Sequence, residues 1–313
     1  MGKTAFVFPG QGAQSVGMGK DTLDIPEAKR LFEKADEAVG YALSAVIFEG
    51  PEEALRSTAN TQPALLAASL AYLSAFRAEG GRISPDYVAG HSLGEWTALA
   101  AAGALEAGAA ARLVHMRGRF MEEAVPGGRG AMAAVLGAER ESLKALCEAV
   151  SGEAGRVELA NVNCPGQIVV SGTREGVEAV AARAKAEAGA KRVVPLEVSG
   201  PFHSSLMRPA AERLSALLEE AEISAPAVPL VANVNAETVQ DPETIRRLLV
   251  EQVCAPVLWE DSVRRLEALG VDTFVEFGPG AVLSGLIRKI SKDVRVYTVN
   301  SLAAAREAAA ALA

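Results

Sequence analysis

Residues 90–94 read GHSLG, a G-x-S-x-G pentapeptide leading into an apolar stretch. That spacing can present Ser92 at a sharp strand-to-helix turn, with glycines where the two backbones crowd. A serine hydroxyl so placed is a candidate nucleophile, provided that a base takes its proton. The main-chain N–H of Leu93 would then point at the oxygen of a reacting carbonyl. The base must come from three histidines, His91, His115 and His203. Neighbouring side chains at a strand end point to opposite sides, so His91 is poorly placed to reach Ser92. His115 falls in a helical stretch, AARLVHMRGRF, and His203 in a Gly-Pro loop, VSGPFHSSLM. Loops carry catalytic groups more often than helix interiors do. His203 is therefore favoured, with His115 and His91 kept as alternatives.

Two further stretches could serve the same chemistry. FPGQGAQ (8–14) follows the first apolar run and exposes main-chain N–H groups, which could complete an anion hole. A plain glycine turn would read the same way. It lacks the third glycine of a dinucleotide fingerprint, and the chain has no Walker motif. Arg117 lies 25 residues after Ser92 in RLVHMRGRF. Arg112, Arg117 and Arg119 cannot all share one helix face, and an inward arginine is costly unless it meets an anion.

These residues need a scaffold, and the chain supplies alternating short β-rich and helical runs. TAFVFP (4–9) and DYVAG (86–90) read as strands. TQPALLAASLAYLSAF (61–76) reads as a helix with proline in its first turn, followed later by helices at 93–105 and 106–125. DTFVEFGPGAVLSGLIRKI (272–290) reads as strand, turn and helix, and residues 303–313 as a terminal helix. The alternation predicts an α/β fold with a mainly parallel sheet. Residues 128–197 differ. Strands at 131–137, 157–163, 167–173 and 191–198 and helices at 139–151 and 174–189 give β-α-β-β-α-β, the ferredoxin-like order. The expected organisation is a discontinuous core, 1–127 and 198–313, interrupted by a small ferredoxin-like subdomain, 128–197.

Composition bounds the partners. The chain has 313 residues, half of them hydrophobic, and a formal net charge of -8. It therefore carries no overall basic footprint for nucleic acid. The apolar stretches are broken by Glu or Arg, so no membrane span is expected, and the N-terminus does not read as a signal peptide. Cys147, Cys164 and Cys254 are too few and too scattered for a metal site or a disulfide framework. A cytoplasmic protein is expected.

The motifs also come in a telling order. FPGQGAQ, GHSLGE, MRGRFM, PFHSSLM and EFGPGAVLSGLI together resemble the malonyl-CoA:acyl carrier protein transacylase family over essentially the whole chain. The resemblance implies an α/β-hydrolase-like core with the ferredoxin-like insert. It implies that Ser92 is acylated, that His203 is its base, and that Arg117 grips the malonyl carboxylate. Gln11 and Leu93 would supply the oxyanion-hole N–H groups. Gln252, in LLVEQVCAPVLW, would orient the histidine through its main-chain carbonyl, in place of a triad aspartate. Asn161 would line the pocket, and His91 would shape it. Phe202, directly before the histidine, would narrow the pocket near the acyl α-carbon and favour malonyl over methylmalonyl, a discrimination worth about 1–3 kcal/mol.

The implied reaction is ping-pong transfer from malonyl-CoA to the phosphopantetheine thiol of acyl carrier protein, without metal or redox cofactor, by a monomer. Carrier protein is acidic, so docking calls for a local basic patch. Arg288, Lys289 and Lys292 form one candidate, and Lys185, Lys191 and Arg192 another. Competing readings are an acyltransferase serving a polyketide synthase in trans, a serine (thio)esterase, and an inactive binding protein.

Overall fold

The computed structural model describes residues 2–313. Ten strands form two sheets: β1 (Lys3–Phe8), β2 (Tyr87–Gly90), β3 (Gly130–Leu136), β4 (Val157–Cys164), β5 (Gln167–Thr173), β6 (Arg192–Pro195), β7 (Leu230–Val231), β8 (Thr238–Val239), β9 (Val271–Phe277) and β10 (Arg295–Val299). The larger sheet has the order β10-β9-β1-β2-β7-β8 and is parallel except for β8. Its central strands are apolar runs such as KTAFVF and VDTFVEF, covered by helices on both faces, as a buried parallel sheet requires. Phe6, Phe76 and Phe277 interlock edge to face on one side of it. Among the described residues, no helix is long and apolar enough to cross a membrane.

The smaller sheet has the order β4-β5-β3-β6 and is antiparallel throughout. The helices Arg140–Glu153 and Arg174–Glu187 pack on one side of it around a core of their own. This is the ferredoxin-like arrangement. The loop after β6 and the bridge between Asn161 and Val257, which lies just beyond the helix Pro242–Gln252, tie it to the rest of the fold.

Three details depart from the expected elements. The helix expected at 61–76 runs from Thr58 to Ala78, with Pro63 inside it. Pro63 has no N–H to give the Ala59 carbonyl, and His115 Nδ1 meets that carbonyl instead at 2.9 Å. The helix begun at Leu93 stops at Ala101, before Gly103 in left-handed backbone. β6 ends at Pro195; the Leu196 N–H makes one last bond, to the Met132 carbonyl at 3.0 Å, and 196–204 is then loop, where strand was expected to 198. Strands β7, β8 and β10 are short or only partly buried and carry no motif that would mark them in sequence.

Candidate active site

The turn from β2 into the helix Leu93–Ala101 sets the site. A Cβ on Gly90 would lie 2.0 Å from the Gly94 carbonyl, and one on Gly94 would lie 2.0 Å from the Phe8 carbonyl oxygen. Only glycine allows that crossing. The turn forces Ser92 to φ 53° and ψ -105°, a conformation that costs an L residue about 1–3 kcal/mol. Asn233 holds it there: its Oδ1 accepts from the Ser92 N–H at 2.7 Å, and its Nδ2 donates to the Gly90 carbonyl at 2.7 Å.

Ser92 Oγ lies 2.8 Å from Nε2 of His203, which comes from the loop after β6. The other ring nitrogen, Nδ1, lies 2.9 Å from the main-chain carbonyl of Gln252 at the end of the helix Pro242–Gln252. A carbonyl can only accept, so Nδ1 carries the proton and Nε2 is free to take one from Ser92. Burial, and then the Arg117 charge, push the His203 pKa down to about 3, so the ring is neutral at ordinary pH. A hydroxyl beside a neutral imidazole is arranged for attack on an acyl carbon. The remaining histidines do other work. His91 Nε2 lies 2.8 Å from Asn163 Oδ1 and its ring tilts against Trp259, while His115 caps the Ala59 carbonyl.

Arg117 is buried, 1% exposed, on the inward face of the helix Ala107–Glu123, while Arg112 and Arg119 face solvent. Gly118 lets this helix press against the start of the helix Thr58–Ala78, where a Cβ would meet the Thr58 carbonyl oxygen at 2.6 Å. The guanidinium donates to Gln62 Oε1 at 2.8 Å, to Gln252 Oε1 at 2.9 Å and to Ser92 Oγ at 3.1 Å. Its two fixed acceptors are neutral amide oxygens, so its charge is not cancelled by direct contact with a carboxylate. Burial brings its pKa down to about 10, still charged at neutral pH.

A cavity of about 110 Å³ joins these groups. Gln11, Leu93, Asn161 and Phe202 line it together with Ser92, Arg117 and His203. It shares Gln11, Leu196 and Val198 with a neighbouring groove of about 290 Å³. Every site residue expected from sequence thus borders this cavity, except Gln252, which lies behind His203 and Arg117. Four residues escaped the sequence reading: Gln62, Glu95, Asn163 and Asn233. Gln62 and Glu95 did leave a signal, as the one amide and the one carboxylate in the helical runs TQPALLAAS and LGEWTALAA, otherwise apolar but for small hydroxyls. Asn163 and Asn233 act only through tertiary contact and left none.

Comparison with known proteins places the chain in a family. Residues 5–308 match the family model described as acyl transferase domain. The malonyl CoA-acyl carrier protein transacylase of Bacillus subtilis is 52% identical over 301 residues, 96% of this chain and 94% of the relative. The solved acyl-carrier-protein-S-malonyltransferase of Bartonella henselae superposes with a TM-score of 0.95 at 43% identity, over 99% of each chain. A second structure, described as a type II PKS acyl-carrier protein in complex with its malonyl-transacylase, gives a TM-score of 0.95 at 42% identity over 99% of each chain.

Proposed function

The chain belongs to the acyl transferase family and, within it, to the malonyl CoA-acyl carrier protein transacylases; from that premise we propose that it carries a malonyl group from malonyl-CoA to acyl carrier protein by way of malonyl-Ser92. The observation that carries this reading is a buried, charged arginine that shares one small cavity with a serine–imidazole pair. A hydrolase of simple esters has no use for that cation. A malonyl thioester has a free carboxylate that matches it.

In the first half-reaction the malonyl carboxylate displaces the Ser92 hydroxyl from Arg117. Ser92 Oγ attacks the thioester carbon as its proton moves to His203 Nε2. The N–H groups of Gln11 and Leu93 take the charge of the tetrahedral oxygen. The C–S bond breaks, and the coenzyme A sulfur leaves with the proton from Nε2. In the second half-reaction the phosphopantetheine thiol arrives along the groove past Gln11, Leu196 and Val198. It gives its proton to Nε2 and attacks the malonyl ester, and Ser92 leaves as the hydroxyl with that proton. Phe202 and Asn161 bound the acyl pocket. The protein works as a cytoplasmic monomer, in keeping with its three free cysteines.

Intact-protein mass spectrometry after mixing with malonyl-CoA tests the reading. A malonyl adduct should form, be absent in Ser92→Ala, and disappear on addition of phosphopantetheinylated carrier protein. Rapid release of coenzyme A in water, with no adduct and no need of acceptor, would overturn it.

A further inference from the structure

Glu95 is fully buried three residues after the candidate nucleophile, and the chemistry above does not use it. The order Ser92-x-x-Glu95 at a helix start is the pattern of a capping box, in which each side chain bonds the other's main-chain N–H. The structure makes neither bond. Ser92 Oγ faces His203 and Arg117, and the Ser92 N–H goes to Asn233 Oδ1. The Glu95 carboxylate turns away from its own helix. Its Oε2 accepts from the Gln252 Nε2 at 2.8 Å and from the Asn233 N–H at 3.0 Å. Its Oε1 has no hydrogen-bond partner among the described residues. A carboxylate with one bare oxygen in the interior is expensive, so ordinary helix capping does not explain it.

Gln252 explains what it does. The Gln252 amide must show its oxygen to Arg117 and its nitrogen to the Ser92 carbonyl, which lies 3.1 Å from Nε2. A flipped amide would set NH₂ against guanidinium and oxygen against carbonyl. Glu95 opposes the flip, because its Oε2 already accepts from the Asn233 N–H and offers Gln252 an acceptor that only the nitrogen end can meet; Asn233 Oδ1, 3.3 Å from the same nitrogen, acts in the same sense. When ionised it also offsets the Arg117 charge from one amide away, leaving the guanidinium donors that face the cavity free of a competing carboxylate. A glutamate in direct contact would occupy the donors that a substrate carboxylate needs.

We propose that Glu95 is a positioning residue for malonyl transfer: it holds the Gln252 amide in the orientation that presents the Arg117 guanidinium to the acyl carboxylate. The inference rests on the transacylase reading and adds to it a residue that sets acyl preference without touching the acyl group. Glu95→Ala should lower the rate of malonyl loading on Ser92 on the order of tenfold or more, the size of a lost charge-assisted hydrogen bond. Acetyl loading, which has no carboxylate for Arg117, should fall much less. Glu95→Gln keeps an acceptor for Gln252 and should restore part of the loss. Gln252→Leu breaks the same link from the other side while keeping the main-chain carbonyl, and should shift the malonyl-to-acetyl ratio in the same direction.

Single-turnover loading from malonyl-CoA and acetyl-CoA, followed by intact-protein mass spectrometry on variants with wild-type circular dichroism, decides the matter. If the wild type takes up neither acyl group, the transacylase reading falls and the Glu95 proposal with it. If the wild type loads and the folded variants keep its malonyl-to-acetyl ratio, only the Glu95 proposal falls.

Discussion

His203 Nδ1 donates to the main-chain carbonyl of Gln252 at 2.9 Å, where a Ser-His-Asp triad would place a carboxylate. A carbonyl orients the ring and selects its tautomer as an aspartate would. It lacks the full negative charge that stabilises an imidazolium. The ring is therefore held neutral, and burial keeps it so.

That neutrality has a consequence for pH. An ordinary histidine would lose its basic nitrogen below pH 6.5, and loading would fall with it. With the His203 pKa near 3, loading of Ser92 should show no drop attributable to this group between pH 5 and 8. Single-turnover loading across that range checks this. An acid limb centred near 6.5 that vanishes in a His203 variant would show that the ring titrates normally.

Stability should depend on pH through buried groups of opposite sign, among them His203 and Glu95. His203 falls from 6.5 to about 3 on folding, so its contribution is complete above pH 6.5 and is lost as the pH drops toward 3. Burial raises Glu95 from 4.5 to about 7, so its contribution is complete below pH 4.5 and is lost as the pH rises through 7. Each slope is at most about 1.4 kcal/mol per pH unit. Glu95→Gln removes the second effect, so its Tm relative to wild type should climb between pH 4.5 and 7. Parallel Tm curves would mean that Glu95 does not titrate in that window.

Removing the guanidinium should separate acyl groups. Arg117→Ala takes away the partner of a buried carboxylate, a loss of about 2–5 kcal/mol. Malonyl loading should fall on the order of a hundredfold or more, and acetyl loading far less. Equal falls, read by the same mass measurement, would remove the carboxylate role.

Carrier-protein docking should involve the exposed end of the helix Val282–Ile290. This helix packs beside β4, which carries Asn161 of the cavity. Arg288, Lys289 and Lys292 make no salt bridge among the described residues, and Lys289 Nζ reaches only Gln167 Oε1 at 3.2 Å. Charge reversal at Arg288 and Lys289 should raise the KM for carrier protein and leave that for malonyl-CoA unchanged, because rim charges act on encounter with an acidic partner. Steady-state kinetics with each substrate varied separately reads this directly.

The elbow glycines should be far less replaceable than glycines in open turns. Gly94→Ala must push a Cβ into the Phe8 main chain, whereas nothing lies within 4 Å of a Cβ on Gly103. Gly103→Ala should cost only the strain of left-handed backbone, roughly 1 kcal/mol. Gly94→Ala should abolish loading or folding. Thermal melts and adduct formation on the two variants make the comparison.

The candidate site residues were legible where their signals are local. GHSLG carries its own turn geometry, and RLVHMRGRF places one arginine of three on the apolar helix face. The β-α-β-β-α-β order of 128–197 is written in alternating periodicity, and the sheet order β4-β5-β3-β6 follows it. Pro63 misled because a proline near a helix start usually marks the first turn. Here another helix lends His115 to the carbonyl that the proline leaves bare.

The sequence alone determined which residue types stand at which turns: a serine between glycines, a histidine in a loop, an arginine in an apolar helix. It also determined the alternation that builds a parallel sheet. Only the tertiary structure decided which histidine meets Ser92, since 111 positions separate Ser92 and His203 along the chain and 2.8 Å separates Oγ from Nε2. It alone decided that Gln252 serves His203 through its backbone and Arg117 through its side chain, and that Glu95 abandons its helix cap to hold that side chain. These are hydrogen bonds between distant segments, fixed by packing around a shared core, and no local pattern encodes the direction in which a buried amide must point.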